Sequence, residues 1–157
     1  MPDSRHPADR SDMLASIFAL QAELNDYVFR KNNIRGSQGQ PLCMAQIAQE
    51  VLDGHLMVND LPNQWLSNYA RAMEEEVDEL KAGLRWKWWS KDEIDPQNIR
   101  VELVDVLHFL VSAMIAAGLT PEKLHDIYRQ KHAVNLARQD SGYSQATKTE
   151  EDNRQVS

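Results

Sequence analysis

Two acidic pairs with the same spacing, Glu76 with Glu79 and Glu102 with Asp105, lie in the stretch 71–117. Residues three apart share one edge of a helix, so each pair presents two carboxylates in one direction. If the two helices pack side by side, four carboxylates converge, and four anions do not share a site without a cation. Oxygen donors alone suit Mg2+, which keeps several waters and takes substrate phosphates. The residue types therefore point to a helical magnesium site acting on a phosphorylated ligand. The second pair is the more telling, because it interrupts an apolar run of Val101, Leu103, Val104, Val106, Leu107, Phe109, Leu110 and Val111. A helix that is hydrophobic nearly all round belongs in the centre of a fold. Carboxylates on such a helix need a partner or a metal. The acidic run 74–79 taken alone would suit a solvated helix edge equally well.

The chain has 157 residues, enough for one domain with a real core. A formal net charge of −7 argues against a protein that coats nucleic acid, whose footprint is basic. The single cysteine, Cys43, excludes a disulfide framework and a thiolate metal cluster, and is expected as a small core residue. No apolar run approaches the ~20 residues that span a bilayer. The charged N-terminus lacks the apolar core of a signal peptide. The expectation is a soluble cytoplasmic protein with no membrane partner and no nucleic-acid partner.

The elements that must hold the carboxylates are helices. Apolar residues recur at helical spacing over 13–29, with Asp12 as a cap, and a loop rich in Asn, Gly, Ser and Pro covers 31–41. A shorter helix is predicted over 42–52. A long one over 62–80 has Pro62 in its first turn and Gly83 as its stop. A polar loop containing Pro96 leads to the central helix, 99–117, which Gly118 ends. Thr120 and Pro121 open the last helix, 121–138. Segments 1–11 and 144–157 are expected to be disordered and 12–143 to form one domain. With no strand pattern, the predicted fold class is an all-α bundle of four to five helices. The apolar surface at 103–117 exceeds what four short helices cover, which predicts at least a homodimer.

The acidic pattern resembles the E-x-x-E … E-x-x-D signature of the all-α nucleoside triphosphate pyrophosphatases, which include the MazG-like proteins and the dimeric dUTPases. Three further segments are similar to the dimeric dUTPases in particular. These are Leu20-Gln21-Ala22-Glu23-Leu24-Asn25, the aromatic block Trp86-Lys87-Trp88-Trp89, and the series Tyr128, Lys131, Asn135, Arg138, Gln139, Gly142, Tyr143. The resemblance runs from Leu20 to Tyr143. It departs in 31–64, which matches no family element, in the short spacing between Asp105 and Lys131, and at His132, where the family often has Asn.

The resemblance implies a Mg2+-dependent dUTP diphosphatase that converts dUTP, and also dUDP, to dUMP. Glu76, Glu79, Glu102 and Asp105 would hold the ions, and Glu76 would also orient or deprotonate the attacking water. Lys131, Asn135, Arg138 and Tyr143 would bind phosphates; Lys131 and Arg138, seven apart, share one helix face. Gln21 and Asn25, four apart, offer carboxamides suited to a pyrimidine edge. Of Trp86, Trp88 and Trp89 at least one is expected in the core, and Trp88 is the candidate to stack on base or sugar. His108 is expected as a hydrogen-bonded core histidine. Two alternatives stay open: a relative acting on dCTP or a broad or modified nucleotide set, and a non-catalytic helical dimer that kept its carboxylates.

Overall fold

The structure, a computed structural model, describes residues 12–142 together with 154 and 156. Most of segments 1–11 and 144–157, expected to be disordered, lies outside the described residues, as does Tyr143. Five helices follow in order: α1 (Met13–Lys31), α2 (Met44–Leu52), α3 (Leu61–Gly83), α4 (Pro96–Ala116) and α5 (Pro121–Asp140). Among the described residues the only β pairing is an isolated bridge between Arg35 and Pro41. The all-α expectation holds. No single helix among the described residues is long and apolar enough to cross a membrane.

Local chemistry explains the helix ends. Asp12 accepts from the Ala15 amide at 2.8 Å and starts α1. Thr120 accepts from the Lys123 amide at 3.2 Å, with Pro121 in the first turn of α5. Gly118, at φ +80°, takes the left-handed position that follows α4. Cys43, the residue before α2, makes no side-chain cap and is half-buried. Asp26 of α1 does the capping instead, accepting from the Met44 amide at 2.7 Å, so α2 is fastened to α1 at its first turn.

Two of the boundaries that differ from expectation bear on how α3 meets α4. Pro96, read as part of a loop, opens α4, because Asp95 before it accepts from the amides of Gln97 and Asn98 at 2.9 and 3.2 Å. Gly83 is the last residue of α3 and not a stop beyond it. A methyl placed on Gly83 would lie 3.0 Å from the Ile99 side chain, so the end of α3 sits against the start of α4. From that point the two helices pack antiparallel along their length, the most extensive pairing in the molecule.

The chain forms two compact units, 1–119 and 120–157. In the first, α4 contacts α1, α2 and α3 and is the central helix. The buried core is Phe29, Leu42, Met44, Ile47, Tyr69 and Ala116, with Trp65, Leu66 and Phe109 packed on it. Only the second half of α4 is buried, at Val111, Ser112 and Ala116. Its first half leaves Val101, Leu103, Val104 and Leu107 exposed, as α1 leaves Met13, Ile17, Leu20, Leu24 and Tyr27. Helix α5, in the second unit, is a polar helix with no fully buried residue.

The tryptophans correct an expectation. Trp86, Trp88 and Trp89 are 77%, 88% and 60% exposed, so none is in the core. They sit on the connection between α3 and α4 and touch one another edge to face, Trp86–Trp89 at 6.0 Å and Trp88–Trp89 at 5.6 Å. The core tryptophan is Trp65 of α3, its ring tilted against Phe29 at 4.6 Å and Tyr69 at 5.8 Å between centroids.

Candidate functional site

The antiparallel packing of α3 and α4 brings the acidic pairs to one place. Carboxylate oxygens of Glu76, Glu102 and Asp105 lie within 4.8 Å of one another, and all three residues are half-buried. Glu79, one turn along α3, is exposed and lies outside this group of three. Its charge is felt there nonetheless. Partial burial pushes the Glu76 carboxyl above its ordinary range, and Glu79, Asp105, Glu102 and Glu75 push in the same direction. Every contribution to that shift is unfavourable to the anion. The donor set fits a hard divalent cation: three carboxylates, oxygen only, held on two helices that pack on each other.

The shift has a measurable consequence. A carboxyl whose folded pKa is raised contributes stability that is fully present below its unfolded pKa and is lost as pH rises through the folded value. Glu76→Gln removes that titration while keeping the shape. In chelator, the variant is expected to melt with wild type in acid and above it towards neutrality, a difference that opens as pH rises above the ordinary carboxylate range. Thermal melts against pH check it. A difference that does not vary with pH would mean that the neighbouring carboxylates do not act on Glu76.

A cavity of about 460 Å³ lies in the same unit, lined by Gln21, Leu24, Asn25, Val28, Phe29, Asn32, Ile34, Trp65, Tyr69, His108 and Phe109. Its walls are largely apolar with a few amides, the composition of a small-molecule site. Gln21 and Asn25 are 7% and 9% exposed, hydrogen-bonded to each other at 3.0 Å, and both to Ser112 of α4. Burial, and secondarily the Asp26 carboxylate, hold the Tyr69 phenol far above its ordinary pKa, so it stays protonated and donates to Met44 Sδ at 3.3 Å.

His108 departs from expectation. Its side chain is exposed and lines this cavity, and only its backbone carbonyl bonds inward. The reason is its edge of α4. Asp105, His108 and Ser112 recur at helical spacing, so one edge carries the acidic group at one end and the cavity wall at the other. Seven residues of helix separate Asp105 from Ser112, about 10 Å along the axis.

Trp88 does not line the cavity; Trp65 does. Lys131, Asn135 and Arg138 lie on α5, where Lys131 and Arg138 are engaged by other groups. Sequence reasoning missed Trp65, Tyr69 and Ser112. The first two are four apart on α3, a spacing that marks one face. Ser112 is a lone hydroxyl four residues after His108 in an apolar helix, which is the only trace it leaves in the sequence.

Comparison with known proteins gives a family and several relatives. A family model described as dUTPase matches residues 13–123. The chain is 30% identical over 80 residues to a protein named dCTP pyrophosphatase of Enterobacteria phage T4, covering 51% of this chain and 40% of that protein. It is 31% identical over 104 residues to a dCTP pyrophosphatase of Enterobacteria phage LZ5, covering 50% of this chain and 60% of that one. A DNA replication protein of phage T4 is 27% identical over 75 residues, 16% of its length. The chain thus spans between 40% and 60% of the length of the two pyrophosphatases it matches. No solved structure matches it.

Proposed function

We propose, from the premise that this chain belongs to the dUTPase family, that it is a Mg2+-dependent nucleoside triphosphate pyrophosphohydrolase acting on dUTP, and also on dUDP. The observation that carries this reading is the convergence of Glu76, Glu102 and Asp105 on the α4 edge that also walls the amide-bearing cavity. Those three carboxylates, with Glu79 beside them, would hold Mg2+, which supplies charge neutralisation at the phosphates. Glu76 has the role of general base. Water gives its proton to Glu76 and its oxygen to the α-phosphorus, the bond from that phosphorus to the bridging oxygen breaks, and dUMP and pyrophosphate leave. The cavity holds the base between Trp65 and the Gln21 and Asn25 amides. Lys131, Asn135, Arg138 and Tyr143 are assigned to phosphate on their sequence motif alone.

A second reading takes dCTP as the substrate, favoured by the names of the two phage relatives. The exposed apolar stripes on α1 and the first half of α4 favour a homodimer in either case. The test is incubation with Mg2+ and a panel of dUTP, dUDP, dCTP and the purine triphosphates, with monophosphate and pyrophosphate both measured. The triphosphate substrate is expected to give the two products in equal amounts. Orthophosphate in place of pyrophosphate from triphosphates, or silence on the whole panel, would overturn the reading; silence would favour a non-catalytic helical module.

A further inference from the structure

Ser112 is fully buried behind the cavity and does not line it. Its hydroxyl donates its one proton to the His108 carbonyl at 2.8 Å. Its oxygen accepts from Gln21 Nε2 at 3.0 Å and from Asn25 Nδ2 at 2.9 Å. That is the full capacity of a hydroxyl, one donated and two accepted bonds. Gln21 Nε2 spends its other proton on Asn25 Oδ1, also at 3.0 Å. With both of its protons used inward, the polar atom that Gln21 has left for the cavity is Oε1, an acceptor. Asn25 has one Nδ2 proton left, a donor.

We infer that Ser112 is a positioning residue for recognition of the polar edge of a nucleobase, because its saturated hydroxyl fixes which atoms the Gln21 and Asn25 amides turn to the cavity. The oxygen and the nitrogen of an amide are nearly the same shape, so packing alone does not choose between the two flips. The hydroxyl does choose. Its proton is committed to His108, so an amide oxygen turned towards it would place two acceptors face to face in a buried site. The result is one acceptor beside one donor on the cavity wall. That pair complements a ring N–H beside a carbonyl, as in uracil or guanine, and an amino group beside a ring nitrogen, as in cytosine or adenine, so it orients a base by its polar edge. The assignment rests on reading the cavity as the base subsite, and names the residue that gives that subsite its polarity.

The experiment measures kcat and KM with Mg2+ for dUTP, dCTP and dATP in wild type, Ser112→Ala and Ser112→Cys. Alanine removes the acceptor. Cysteine fills the volume but accepts hydrogen bonds weakly, so it carries the test if alanine fails to fold. For the better pyrimidine substrate, both variants are expected to raise KM about tenfold with kcat within about twofold. Both variants retaining wild-type KM would overturn the role of Ser112 while leaving the base subsite in place. A wild type that treats dUTP, dCTP and dATP alike would overturn the subsite reading and this assignment with it.

Discussion

Glu76→Gln and Asp105→Asn are each expected to lower turnover by at least ~100-fold, since each removes a role in metal-assisted attack. Neither is expected to unfold the metal-free protein, and either is expected to raise its melting temperature. The carboxylates of Glu76, Glu102 and Asp105 lie within 4.8 Å of one another, and the neighbours acting on Glu76 all disfavour its charge. An amide of nearly the same shape relieves that repulsion. The competing accounts give different patterns. Were these residues a solvated face, both properties would stay within about 0.5 kcal/mol of wild type. Were they partners of a buried cation, the metal-free protein would be destabilised. Turnover with Mg2+ and melting without it, on the same two variants, separate the three. Retained turnover in both variants would sink the metal-site assignment.

Chelation of Mg2+ is expected to abolish turnover and to lower the melting temperature of the wild type. An ion present at a hundred times its dissociation constant stabilises the folded state by ~2.7 kcal/mol, roughly 5–10 °C for a chain of this size. The same chelation is expected to leave the Asp105→Asn melt nearly unchanged, because that variant has lost a ligand. Differential scanning calorimetry with and without chelator checks both. A wild-type melt that does not move, or that rises, would mean that the acidic pairs do not share an ion.

The helices were legible because their ends carry their own chemistry. Asp12, Thr120, Pro121 and Gly118 each act at the position their residue type favours. The convergence of Glu76 with Glu102 and Asp105 was legible from two spacings of three on adjacent helices. Glu79 illustrates the limit of that inference. Spacing puts it on the right edge of α3, but the packing of α3 on α4 leaves it exposed beside the group. Gln21 and Asn25 were legible as a pair of amides, yet their hydrogen-bond partner was not. Ser112 lies 87 residues from Asn25, and only the packing of α4 on α1 joins them. The tryptophans failed for a related reason. Sequence cannot say which of four large rings the core has room for. The core took Trp65, which sits on a helix face with Tyr69, and left the three on the α3–α4 connection outside. His108 was misplaced because an apolar helix suggests a buried neighbourhood all round, whereas its edge of α4 opens on the cavity.

Direct titration with Mn2+, a paramagnetic stand-in for Mg2+, followed by electron paramagnetic resonance of the free ion, addresses the shared-ion claim most simply. Wild type is expected to remove Mn2+ from solution saturably, with Mg2+ competing. A variant carrying both Glu102→Gln and Asp105→Asn, folded by its circular dichroism, is expected to leave the free-ion signal close to that of buffer. Equal Mn2+ uptake by wild type and variant would contradict the account.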